Sequence, residues 1–194
     1  VINLGVEGAM LAGALASDGF ERTYILHVPK AYDGLQPSPL VLNFHGFGSN
    51  ARRQAAYSEL PALGDEEGFI VVSPNGTGNP QRWTFPGLGA VDEAAFVGEL
   101  LGKLESELCI DSSRVYAAGM SNGAAITTFV ACGLPGRIAA IAAVTATAGP
   151  HLCPDDLHVP IVTFRGTEDG CLPYEGGTSA CGMRLPVVAA EESV

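Results

Sequence analysis

The chain has 194 residues, the size of one domain with a sizeable core. Hydrophobic residues make up 47%, so a packed core can form, and the 25 glycines and 13 prolines signal tight connections rather than a disordered linker. The formal charge of -11, from 10 basic and 21 acidic side chains, argues against nucleic acid or an anionic membrane as partner and disfavours polyanionic substrates.

The opening VINLGVEGAMLAGALA is mildly apolar but has no basic start, so it does not read as a complete signal peptide. With no initiator Met the chain reads as mature or trimmed, and residues 1–18 receive no firm element. FERTYILHV (20–28) alternates as a strand, with Tyr24, Leu26 and Val28 on one face. PLVLNF (39–44), FIVVS (69–73), RVYAAG (114–119), IAAIAAVTA (138–146) and VPIVTF (159–164) are short apolar runs, as expected of strands buried on both faces. Between them, 92–108 carries Val97, Leu100, Leu101, Leu104 and Leu108 at helical spacing with charges opposite, and 51–65 and 122–132 read as further helices. The last segment, 185–194, reads as the first turns of a helix after Pro186. No run reaches the roughly 18 apolar residues of a membrane span, and there are no repeats. The whole chain, 1–194, is expected to be one α/β domain, a mostly parallel central sheet with helices on both faces. Ligands of such a sheet bind beyond the carboxyl ends of its strands.

The five cysteines, Cys109, Cys132, Cys153, Cys171 and Cys181, form no CxxC pair, so zinc-ribbon and thioredoxin readings are weak. Disulfides in an oxidising compartment fit better, and Cys171 and Cys181 bracket a short loop. The connectivity is not derivable from spacing, and buried free thiols stay open as the other reading.

Three motifs fall at strand ends. Gly119-Met120-Ser121-Asn122-Gly123 matches G-x-S-x-G, between a strand pattern and an alanine-rich helix pattern. Its glycines permit a sharp turn that lifts the Ser121 hydroxyl out as a nucleophile; the bland alternative is a helix N-cap serine. His45-Gly46-Phe47-Gly48 follows the strand 39–44. Acyl transfer needs two N–H groups aimed at the developing oxyanion, and Phe47 and Asn122 are the candidates, with Gly46 alongside. His45 sits in that loop and precedes the serine, so it reads as a loop-ordering or substrate-side residue rather than the base. Gly166-Thr167-Glu168-Asp169 ends the strand 159–164. Asp169, with Glu168 as alternate, is the candidate acid that would hold an imidazole in its working tautomer; a solvated turn is the alternative. Asp155 and Asp156 precede that strand, at the wrong end of the sheet. Trp83 is either a platform for an acyl group or sugar, or a loop anchor. His151 and His158, with Cys153, Asp155 and Asp156 nearby, match no specific metal spacing, so no metal and no cofactor is expected.

With RTYILHVPKAYD (22–33), PLVLNFHGFGSN (39–50), DEEGFIVVSPNGTG (65–78), CIDSSRVYAAGMSNGAA (109–125) and VPIVTFRGTEDGCLPYEGG (159–177), the chain resembles the extracellular α/β-hydrolase esterases grouped with polyhydroxybutyrate depolymerases, feruloyl esterases and acetylxylan esterases. The resemblance covers nearly everything from about residue 20 onward. It implies a secreted, cofactor-free serine esterase with Ser121 as nucleophile, Asp169 as acid and a histidine after the acid. His27, His45, His151 and His158 all precede Asp169, so the base is expected beyond the last residue given. Arg165 departs from the family, which commonly has histidine there. Cys171 is unusual in its stretch, which favours a Cys171–Cys181 bridge. Feruloyl or acetyl esters of plant cell-wall polysaccharide are the implied substrates. A polyhydroxyalkanoate depolymerase and a non-catalytic carbohydrate-binding relative without a base are the rivals. Oligomeric state is not legible.

Overall fold

Alternation along Phe20–His27 (β2) turns Tyr24, Leu26 and, just past the strand, Val28 into the core, as the sequence predicts. The same face also buries Arg22. The structure, a computed structural model, describes residues 8, 10–85, 91–147, 158–181 and 186–192. Within them β2 pairs antiparallel with a strand the sequence reading had not assigned, Met10–Ser17 (β1). The two are joined by Asp18-Gly19, whose φ values of 48° and 75° make the two-residue hairpin turn that an Asp-Gly pair favours.

The remaining strands of the main sheet are Ser38–Phe44 (β3), Ile70–Pro74 (β4), Ile110–Met120 (β5), Ala140–Val144 (β6) and Ile161–Phe164 (β7). The order is β1-β2-β4-β3-β5-β6-β7, with β4, β3, β5, β6 and β7 parallel, β2 antiparallel to β4, and β1 antiparallel to β2 at the sheet edge. The helices are Ala51–Ser58 (α1), Leu60–Glu67 (α2), Glu93–Glu107 (α3) and Asn122–Gly133 (α4). Leu40, Leu42, Phe44, Ile70 and Val72 meet the apolar stripe of α3 on one face of the sheet. Asn43, on the opposite face of β3, accepts a hydrogen bond from Gln54 of α1 (3.0 Å). Helices thus cover both faces, as the alternating pattern requires.

Two expectations are corrected. The single helix over 51–65 is two helices, broken at Glu59, which adopts φ 55°. Pro61 has no N–H for the ladder of a continuous helix and instead sits in the first turn of α2. The segment 185–194 does not begin a helix. Pro186–Val187 (β9) pairs antiparallel with Gly177–Thr178 (β8), and a 3₁₀ turn follows at Ala190–Glu192. The β-branched Val187 suits a strand, and the Ala190 N–H donates to the Tyr174 carbonyl (2.9 Å), fixing the turn against the preceding loop. No helix among the described residues is long and apolar enough to cross a membrane.

Candidate active site

β5 delivers its last residues to the carboxyl edge of the sheet, and the chain reverses into α4 through Ser121. That residue holds φ 57° and ψ -122°, a conformation that costs a non-glycine residue about 1–3 kcal/mol. Surrounding hydrogen bonds enforce it. The Ser121 N–H donates to the Val144 carbonyl (2.9 Å), and the Ser121 carbonyl accepts from the N–H groups of Ala124 (2.9 Å) and Ala125 (3.0 Å). The flanking glycines are sterically required. A Cβ at Gly119 would collide with the Gly123 carbonyl oxygen, and one at Gly123 with the carbonyl oxygens of Phe44 and His45, the latter at 2.5 Å. Although Ser121 occupies the N-cap position of α4, its side chain makes no capping bond. The N-cap alternative therefore fails, and the hydroxyl is left for the cavity it faces.

That cavity has a volume of about 440 Å³, and Gly46, Phe47, Met120, Ser121, Asn122 and Arg165 are among its walls. The loop after β3 lies directly against the serine, since a Cβ on Gly46 would sit 3.5 Å from the Ser121 Cβ. Gly48 takes φ 71° and donates its N–H to the Gln81 carbonyl (2.8 Å), and Ser49 donates to the Gly46 carbonyl (3.1 Å). Asn122, the first residue of α4, has an N–H with no acceptor inside its own helix. Phe47 and Asn122 are thus brought to the serine from two elements.

His45 and Trp83 are not at the cavity surface. His45 is fully buried, its Nδ1–H donating to the Gly46 carbonyl (2.8 Å) and its Nε2 accepting from the Gly76 N–H (2.9 Å). Burial pushes its pKa down, against the Gly46 hydrogen bond, so the ring is held neutral. Trp83 is 1% exposed, stacks edge-on against Phe44 and donates its indole N–H to the His45 carbonyl (2.8 Å). Substrate contact by these two residues is therefore corrected. They brace the loop from behind, because both rings are consumed by core packing and both polar ends by the backbone. Of the three expected contacts only Gly46 lines the cavity.

Asp169 follows β7 on the same edge as Ser121. The link is explicit: Ser121 N–H bonds to Val144, the end of β6, and Thr145 N–H bonds to Phe164, the end of β7 (2.8 Å). Oδ1 of Asp169 accepts from the N–H groups of Cys171 (2.8 Å) and Leu172 (3.0 Å), both of which line the cavity. The half-buried carboxylate therefore stands just behind the cavity wall, whereas Glu168 is exposed. Cys171 and Cys181 form a disulfide in that wall. Cys109 is a free thiol, and Cys132 is disulfide-bonded.

No described histidine stands beside Asp169. His27 bonds to Asp65 (3.1 Å) next to α2, and exposed His158 lies at the opposite end of the sheet, where the Pro160 carbonyl accepts from Ile141. His151 lies outside the described residues, as do Cys153, Asp155 and Asp156 of the weighed metal cluster. Among the described residues no group of three His, Cys, Asp or Glu side chains is placed to hold a metal ion.

A parallel sheet flanked by helices, with a strained serine turn at the carboxyl edge and an acid after a later strand on that edge, defines the α/β-hydrolase fold. The family model described as esterase PHB depolymerase matches residues 22–151, which include the serine turn and the loop after β3, and the chain belongs to that family. Feruloyl esterase B of Piromyces equi is 28% identical over 174 residues, 86% of this chain and 32% of that protein. A bifunctional acetylxylan esterase/xylanase of Neocallimastix patriciarum is 30% identical over 141 residues, 71% of this chain and 20% of that protein. This chain therefore spans a third or less of the length of either relative. Among solved structures, a thermostable esterase superposes with a TM-score of 0.65 at 23% identity, over 86% of this chain and 48% of its own.

Proposed function

We propose that the protein is a serine carboxylic-ester hydrolase acting on feruloyl or acetyl esters of plant cell-wall polysaccharide. One observation carries the reading: a serine at φ 57°, uncapped, facing a cavity beside Phe47 and Asn122. Ser121 Oγ attacks the ester carbonyl carbon and its proton passes to a histidine. The Phe47 and Asn122 N–H groups hold the oxyanion. The tetrahedral intermediate collapses as the histidine returns the proton to the leaving alcohol, and water releases the acyl group by the same steps in reverse order. Asp169 orients that histidine. His27, His45 and His158 are excluded from the role by position, so the base comes from outside the described residues. The named activities of the feruloyl and acetylxylan relatives support the substrate class, and a net charge of -11 favours an uncharged ester. The Cys171–Cys181 disulfide supports an extracellular setting.

The family model's description favours a second reading, a polyhydroxyalkanoate depolymerase with the same mechanism. Turnover of methyl ferulate, an acetylated xylooligosaccharide and a hydroxybutyrate oligomer by the same preparation discriminates between them. The cell-wall reading predicts that either of the first two exceeds the third in kcat/KM by at least about tenfold. Preference for the hydroxybutyrate oligomer reverses the assignment. Polysaccharide binding with no turnover of any ester contradicts both.

A further inference from the structure

Trp83 has no place in the reaction, yet it joins both elements that supply oxyanion donors. Its indole N–H donates to the carbonyl of His45, in the loop that carries Phe47 (2.8 Å). Its backbone N–H donates to the Asn122 side-chain oxygen (2.7 Å), and its carbonyl accepts from the Asn122 side-chain amide (3.1 Å). The bonded His45 carbonyl is one of the two, with that of Phe44, against which Gly123 packs at the first turn of α4. One residue therefore ties the loop after β3 to the start of the nucleophile helix at three points.

The segment bearing Trp83 is itself anchored. Thr77 and Arg82 exchange a pair of backbone hydrogen bonds (3.0 and 2.9 Å), and the Gln81 carbonyl receives the Gly48 N–H. Thr84 donates its N–H to Glu93 Oε1 (3.2 Å), and Glu93 Oε2 is held by the buried Arg22 (2.8 Å). Arg22 also donates to the Asn75 carbonyl (3.3 Å). Both ends of the 75–84 segment thus meet in one buried ion pair.

We propose that Trp83 is the positioning residue that fixes the separation of the Phe47 and Asn122 N–H groups. This rests on the serine-hydrolase reading above. Oxyanion donors accelerate a reaction because they are already in place when charge develops, so their spacing has to be set by something other than the substrate. Here the two donors belong to different elements, and Trp83 bridges them directly. A merely structural tryptophan would change stability and leave the chemical step of the folded enzyme intact.

Trp83→Phe tests the first tie, since it keeps an aromatic ring and the backbone hydrogen bonds to the Asn122 side chain while removing the indole N–H. Asn122→Leu tests the other tie and keeps the Asn122 N–H. With p-nitrophenyl acetate and the intact protein, each variant is expected to lower kcat about ten- to hundredfold with KM within about threefold of wild type. The double variant is expected to fall well short of the product of the two losses, because both act on one spacing. Wild-type kcat in Trp83→Phe, a change confined to KM, or independent losses in the double variant would overturn the proposal. If Trp83→Phe does not fold, Asn122→Leu alone is held to the same kcat criterion. Ser121→Ala separates the two levels: wild-type turnover in that variant sinks the hydrolase reading itself. In that event crystal structures decide the brace. A shift of the Phe47 or Asn122 nitrogen beyond about 0.5 Å in Trp83→Phe supports it, and unmoved nitrogens refute it.

Discussion

A methyl group at Gly123 would press on the carbonyl oxygens of Phe44 and His45, which are backbone atoms and cannot swing aside. Gly123→Ala should therefore open the turn, destabilising the fold by about 1–3 kcal/mol and lowering turnover at least about a hundredfold. Urea unfolding and p-nitrophenyl acetate hydrolysis measure the two effects. His45 makes a pH prediction. Burial lowers its pKa in the folded state below the unfolded value of about 6.5, so the unfolded chain takes up a proton first on acidification. Its contribution to stability is complete above that value and is lost as pH falls through the lowered folded pKa. Melting temperature should thus decline below about pH 6.5, and His45→Gln should flatten that decline; an unchanged slope contradicts the assignment. The sharp turn at Ser121 was legible in the sequence because the glycine spacing reports a backbone requirement. For His45 and Trp83 the sequence offered loop-ordering beside substrate contact and could not choose, because the direction in which a loop side chain faces is decided by the tertiary packing behind it.

The start of α3 is pinned by a buried ion pair, Arg22 with Glu93, the guanidinium lying 3.8 Å over the Phe96 ring. Removing one partner leaves the other charge buried, so Glu93→Ala should cost about 3–5 kcal/mol in denaturant unfolding. Arg22→Met combined with Glu93→Leu should recover part of that loss, because no buried charge remains. The loop closed by Cys171 and Cys181 carries the two N–H groups that hold Asp169. Loop-closure entropy over that separation corresponds to about 3 kcal/mol. Cys171→Ser with Cys181→Ser should therefore lower stability by about that much and reduce kcat through a looser Asp169. A fully stable, fully active double variant would show that the bridge is dispensable. Most elements follow from apolar periodicity, and the exceptions have local causes. Strand β1 was signalled by Asp18-Gly19 ahead of an alternating strand, a stronger cue than its weak apolar run. The break between α1 and α2 was written in Pro61. The β8–β9 pair is too short for any periodicity to register.

Across the whole molecule, each proposed site residue sits where a strand ends: Phe47 after β3, Ser121 after β5, Asp169 after β7. The strand-helix alternation makes that convergence readable before any coordinates, since a parallel sheet places all its carboxyl ends on one edge. The strand order is what alternation alone does not give. It sets β3 directly beside β5 and leaves β6 between serine and acid. Ser121 is proposed as the nucleophile presented to that edge. The most direct test of that role is treatment of the intact protein with a fluorophosphonate, followed by peptide mass mapping. A single adduct on Ser121 is expected, absent from Ser121→Ala, with ester turnover lost in proportion to labelling. An adduct at another residue with Ser121 unmodified, or hydrolysis undiminished after full labelling of Ser121, would contradict it.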